Sequence, residues 1–179
     1  INEHDLQQFV MKRFAESGLI TNHPTIVGVN ANASNPHYSP SAGSCSAIRT
    51  GDLLLLDLWS KLNDPDAVYY DVTWMAFCGA EPPPRMREVF GVVRDARDAG
   101  IRLVTESVAA GKVLKGFEVD DVVQACIDQA GLGEFFTHRV GHSIGRETHG
   151  NGANMDNFES HDERSIIPWT CFSIEPGVY

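Results

Sequence analysis

The sequence predicts an α+β fold: layers of helix on an antiparallel sheet. Two observations carry this. Strand-like and helix-like segments come in blocks, and several of the strand-like ones are joined by short turns. A length of 179 residues is enough for one domain with a good core.

Taken in order, residues 2–18 (NEHDLQQFVMKRFAESG) place Leu6, Phe9, Val10 and Phe14 on one face of a helix. Asn2 is suited to cap its start and Gly18 to end it. Residues 25–30 (TIVGVN) read as a strand, and the turn-rich stretch 32–44 reads as a surface loop. Residues 52–59 (DLLLLDLW) form a nearly continuous apolar strand of the kind buried on both faces. Residues 68–77 (VYYDVTWMAF), rich in aromatic and β-branched side chains, form another. A proline-rich break then starts a long helix from about Arg85 to Ala110, with Val89, Val92, Val93, Ala96 and Val104 on its apolar face. A second amphipathic helix, EVDDVVQACIDQAG, is closed by Gly131. HRVGHSIG and TCFSIEPGVY are the last two strands, separated by a long polar loop over 150–168.

Composition narrows the function classes. A formal net charge of −10 disfavours a nucleic-acid backbone or an anionic membrane as partner. The longest apolar run is far too short to span a bilayer. Cys45, Cys78, Cys126 and Cys171 are scattered, with no C-x-x-C pair, so neither a zinc cluster nor a disulfide framework is indicated. They are expected to be buried thiols in a reducing, cytoplasmic compartment. The chain starts without methionine and is expected to be cut from something longer.

The acidic residues raise a physical problem. A hairpin turning at NDPDA and centred near Asp64 sets Asp57 across from Asp71, on the face shared with Leu53, Leu55, Tyr69 and Thr73. Two carboxylates so close in an apolar sheet repel each other and are poorly solvated unless a cation lies between them. A register one residue off turns one of them to solvent, and spacing alone leaves both arrangements open. Glu175, in the apolar segment CFSIEPG, is a third acid with no obvious solvent. Three histidines cluster nearby in sequence, His138, His142 and His149. Glycines on either side of His142 let the backbone approach a bound group, which makes His142 the candidate ligand. On an extended strand His138 lies roughly 13 Å from it, too far to share one ion, and is assigned to the groove. Carboxylates with one imidazole suit manganese, iron, cobalt or zinc better than calcium.

These segments resemble a known family. NPHYSP, GDLLLLDLW…YYDVTW, HRVGHSIGRETHGNG and CFSIEPGVY occur in the order found in the pita-bread metallopeptidases, and the likeness runs from end to end. It is strongest to the catalytic domain of aminopeptidase P and prolidase, which act on Xaa-Pro peptides. The resemblance implies a curved antiparallel sheet covered by helices. It implies metal ligation by Asp57, Asp71, His142 and Glu175, with two divalent ions, manganese foremost and cobalt, zinc or iron as alternatives. It implies a hydroxide bridging the ions as nucleophile and Glu175 as proton shuttle. By the same likeness His37, His138 and His149 line the substrate site, with His138 and His149 helping to stabilise the tetrahedral intermediate. The implied partner is a peptide with proline at its second position; relatives commonly form homodimers.

Three departures qualify the likeness. The family's fifth ligand, a glutamate, lies beyond EPG, so residues 1–179 are expected to bind the metal pair poorly. Trp74 stands where the family has an arginine after Thr73. Asp57 and Asp71 are farther apart in sequence than usual, the NDPDA turn absorbing the excess. Residues 1–179 are therefore expected to be one catalytic domain, clipped at both ends and lacking the N-terminal domain. The expected function is a metal-dependent exopeptidase cleaving beside proline. The competing class is a non-catalytic pita-bread domain serving as a binding module, against which retention of all four ligands argues. Methionine aminopeptidase and metal-free creatinase fit the motifs less well.

Overall fold

Asn2 opens the first helix with a reciprocal cap: its side chain accepts from the Asp5 N–H, and the Asp5 carboxylate accepts from the Asn2 N–H. This helix, α1, spans Glu3–Glu16 and ends at Gly18, whose φ of +70 suits glycine. The computed structural model describes residues 1–179 and divides them into two compact units, Ile1–Pro83 and Pro84–Tyr179.

In the first unit, β1 (Leu19–Ile20), β2 (Ile26–Val29), β3 (Leu53–Leu62) and β4 (Tyr70–Phe77) form one antiparallel sheet around β3. The short β1 is absent from the sequence reading. Val27, Val29 and Leu54 form the core, with Leu6 and Ile48 packed against it. The buried side of α1 departs from expectation. Phe14 is buried, but Phe9 is 58% exposed, and the remaining buried positions are Glu3 and Gln7. The helix turns its polar residues inward because backbone groups there need partners. Gln7 donates to the Thr25 carbonyl at 2.8 Å. The Glu3 carboxylate accepts from the Val29 and Ser46 N–H groups at 2.7 and 2.6 Å, from the Asn32 amide at 2.9 Å and from the Tyr38 hydroxyl at 2.7 Å. Burial alone would raise the Glu3 pKa, but these bonds outweigh it and hold the carboxyl below its usual range. Burial and the bond to Glu3 push the Tyr38 pKa up to about 12.

The second unit holds α2 (Pro84–Ala109) and α3 (Gly116–Gln129). Pro84 is the first residue of α2, and Gly131 follows α3 with φ +71, both as the sequence indicated. Ala96, Val119, Val123, Ile127, Val140 and Met155 are fully buried, and Val89, Val92 and Val104 pack beside them. Gly100 permits the close approach of the two helices: a Cβ there would lie 2.8 Å from Val123 Cγ2. The last two strands are much shorter than expected. β5 (Ser143–Ile144) and β6 (Cys171–Phe172) pair antiparallel over two residues, and His138–Val140 is bent rather than extended. All four cysteines are free; three are half-buried and Cys171 is exposed, so none is the fully buried thiol expected.

Buried acids organise the polar loop between these strands. Asp156 accepts from the N–H groups of Phe158, Glu159 and Ser160. Asp162 accepts from the Asn154 and Arg164 N–H groups and from the Arg164 guanidinium. Asp120 accepts from the Asn157 N–H, yet burial pushes its carboxyl above the usual range.

The Arg164 side chain chiefly holds the Asp162 pKa down at about 2, against 3.8 for a free carboxyl. A carboxyl depressed on folding stabilises the native state above pH 4, and that contribution fades as pH falls towards 2. Asp162→Asn is therefore expected to lower stability at pH 7 by about 1–3 kcal/mol. In urea melts its deficit should shrink between pH 4 and pH 2; a deficit that stayed constant would refute the assignment.

Candidate metal and peptide site

Each unit carries part of the predicted constellation. In the first, the hairpin turn is closed by the Asp64 carbonyl accepting from the Ala67 N–H, with the Asp64 side chain accepting from the Asp66 N–H. This closure sets the register two residues from the one centred on Asp64. Asp57 lies opposite Thr73, and Asp71 lies opposite Trp59. The expectation that the two aspartates face each other directly is thus corrected. Because the shift is even, strand alternation leaves them on the same face, as diagonal neighbours at about 7–8 Å between Cα atoms. Thr73 Oγ1 donates to Asp57 Oδ1 at 3.1 Å. Both aspartates are half-buried. His37 is in the loop after Ser34, its N–H donating to the Asn35 side chain at 3.0 Å.

In the second unit, the β5–β6 register continues beyond the strands. The Ser173 N–H donates to the His142 carbonyl at 2.9 Å and the Glu175 N–H to the Val140 carbonyl at 2.7 Å. His142 thus lies opposite Ser173, with Glu175 on the diagonal. Gly141 is required here, because a Cβ would lie 2.1 Å from the Ser173 carbonyl oxygen. The His142 side chain is buried and its Nδ1 is 3.1 Å from the Ser143 carbonyl oxygen. A carbonyl only accepts, so Nδ1 carries a proton, and Nε2 lies 3.2 Å from Glu175 Oε1, to which it donates when the ring is the doubly protonated imidazolium. Burial acts to raise the Glu175 pKa, but the hydrogen bond and charge of His142 and the Ser173 bond outweigh it, leaving the carboxyl below its usual range.

Two further histidines lie near this pair. The His149 ring stands edge-on to His142, centroids 4.4 Å apart. His138 donates from Nδ1 to the Arg139 carbonyl at 2.7 Å, so its Nε2 accepts the Tyr179 hydroxyl at 2.9 Å. The sequence reading missed Ser173 and Tyr179. Their signal was their spacing from Glu175, two residues before it and four after.

Neither unit by itself gathers three histidine, cysteine or acidic side chains with metal-binding geometry. The donor chemistry nevertheless fits a divalent cation. The first unit offers two carboxylates on one sheet face. The second offers an imidazole with its Nδ1 pinned and its Nε2 turned towards a carboxylate, the orientation that ligating histidines take.

The model for metallopeptidase family M24 matches residues 1–179. The Xaa-Pro dipeptidase of Lactobacillus delbrueckii subsp. lactis is 33% identical over 159 residues, which is 89% of this chain and 39% of that protein. The prolidase of Thermococcus sibiricus has a similar structure, with TM-score 0.80 and 25% identity, covering 99% of this chain and 44% of that one. A dipeptidase structure from Pyrococcus horikoshii also gives TM-score 0.80, at 28% identity over 100% of this chain and 46% of its own. The chain thus spans about two-fifths of the curated relative's length. The α+β pita-bread fold expected from the sequence is the fold of these structures.

Gly141→Ala should drive the paired segments apart and lower stability by roughly 2–4 kcal/mol. Chemical denaturation measures this, and a variant as stable as the parent would show that the segments can part freely.

Proposed function

This chain belongs to metallopeptidase family M24, and from that premise we propose that it is the catalytic domain of an exopeptidase hydrolysing Xaa-Pro peptide bonds. The observation that carries the reading is the ordered pairing of candidate ligands within each unit: Asp57 with Asp71 across β3–β4, and His142 with Glu175 across the β5–β6 ladder. The names of the relatives support proline specificity: an Xaa-Pro dipeptidase at 33% identity and a prolidase at 25%.

On this reading Asp57, Asp71, His142 and Glu175 hold two divalent ions, manganese foremost. Ions bound there supply Lewis acidity and lower the pKa of water. The protein's own residues do the rest. Glu175, with Ser173 and His142 on its Oε1, is placed to take up a proton and return it to the leaving amine. His149, edge-on to His142, donates to the substrate carbonyl and to the negative charge that develops on it, and His138 joins it from Nε2 once substrate displaces the Tyr179 hydroxyl and that nitrogen is protonated. His37 contributes to holding the peptide. The substrate is a peptide with proline at its second position. The four unbridged cysteines accord with a cytoplasmic setting.

Hydrolysis of Xaa-Pro di- and tripeptides by the full-length protein, followed with metal analysis, tests the proposal. Chelation should abolish turnover and manganese should restore it. Asp57→Asn, Asp71→Asn and His142→Ala should each lose turnover by at least about 100-fold. Substantial activity in any of the three counts against the ligand assignment. His149→Ala should lower kcat while its metal content stays near that of the parent; a matching loss of metal would move His149 into the ligand set.

A further inference from the structure

We propose that Ser173 is a positioning residue for the metal ligands, tying His142 and Glu175 together across the ladder so that both are aimed before a cation arrives. The inference rests on the reading in which those two residues are ligands.

Ser173 stands directly opposite His142 and two residues before Glu175. Its N–H donates to the His142 carbonyl at 2.9 Å, as a regular antiparallel pair requires. The return bond is rerouted: the His142 N–H donates to Ser173 Oγ at 2.9 Å. The same hydroxyl reaches Glu175 Oε1 at 2.9 Å, and the His142 carbonyl oxygen at 3.4 Å. A hydroxyl has one proton to donate, and the shorter contact takes it. Ser173 therefore accepts from the backbone of one candidate ligand and donates to the side chain of the other. The His142 ring is fixed separately, by Nδ1 on the Ser143 carbonyl. His142 Nε2 and Ser173 Oγ both meet Oε1 of Glu175. When a cation occupies Nε2, the serine contact remains to hold the carboxylate's rotation.

A second observation points the same way. In the first unit Thr73 stands directly opposite Asp57 and two residues after Asp71, and its hydroxyl donates to Asp57. On both ladders a hydroxyl residue thus stands opposite one candidate ligand and two residues from the other, Ser173 donating to the one on its own segment and Thr73 to the one opposite. Hydrogen bonds to ligating side chains orient them and raise affinity, and losing one typically costs 10–100-fold in metal binding.

The test is Co2+ binding to the full-length protein, read by calorimetric titration and by the visible absorption of the bound ion. Ser173→Ala is expected to weaken binding roughly 10–100-fold and to alter the absorption band. Ser173→Thr, which keeps the hydroxyl, should stay near the parent in both. Ser173→Val has the shape of the threonine variant without the hydroxyl, and should behave like Ser173→Ala; the Thr/Val comparison decides the matter even where Ser173→Ala folds poorly. Parent-like affinity in Ser173→Val, or equal weakening in Ser173→Thr and Ser173→Val, overturns the role of the hydroxyl and leaves the ligand assignment standing. A parent protein that binds no Co2+ overturns the ligand assignment and this inference together.

Discussion

Register across antiparallel ladders is the constraint on which the candidate site depends. Side chains alternate faces along an extended segment, so the parity of the pairing decides which residues share a face. In β3–β4 the pairing of Asp57 with Thr73 puts Asp57 and Asp71 on one face. Beyond β5–β6 the pairing of His142 with Ser173 brings Nε2 of His142 to the Glu175 carboxylate. A slip of one residue in either ladder would send one member of the pair to the opposite face.

Two different local devices hold these registers. The first is turn chemistry: Asp64 closes its hairpin through both its carbonyl and its carboxylate. The second is an absent side chain. Gly141 lets the Ser173 carbonyl come closer than any Cβ would allow, and it also exchanges backbone bonds with Met155, itself fully buried. The same segment is therefore pinned on one side by the core and on the other by the strand carrying Glu175. Rigid placement of this kind is what a metal or peptide site needs, because a ligand that must reorganise on binding loses affinity to that cost.

The acids fall into two groups by what surrounds them. Glu3, Asp156 and Asp162 each collect several donors from nearby backbone and side chains, and each is held below its usual pKa range. Theirs is a folding role: they replace water for backbone N–H groups that the sheet and loop leave over. Asp57, Asp71 and Glu175 lie instead along ladders, beside hydroxyl or imidazole groups, in half-buried positions.

By itself the sequence determined the class of fold, the order and nearly the limits of its long helices, and the identity of the candidate ligands, because capping residues, helical periodicity and turn chemistry are local signals. Asn2, Pro84 and Gly131 act as read. Only tertiary structure decided which side of α1 is buried. A fully buried glutamate contradicts every expectation from composition until the N–H groups of Val29 and Ser46, distant in sequence, are found on it. Tertiary structure also decided the hairpin register, which turn closure shifted by two, and the brevity of the last strands, since the His142 N–H donates to the Ser173 hydroxyl in place of the regular ladder bond. Ser173 and Tyr179 escaped the sequence reading for the same reason: a hydroxyl becomes meaningful only when the fold brings it to a partner on another segment.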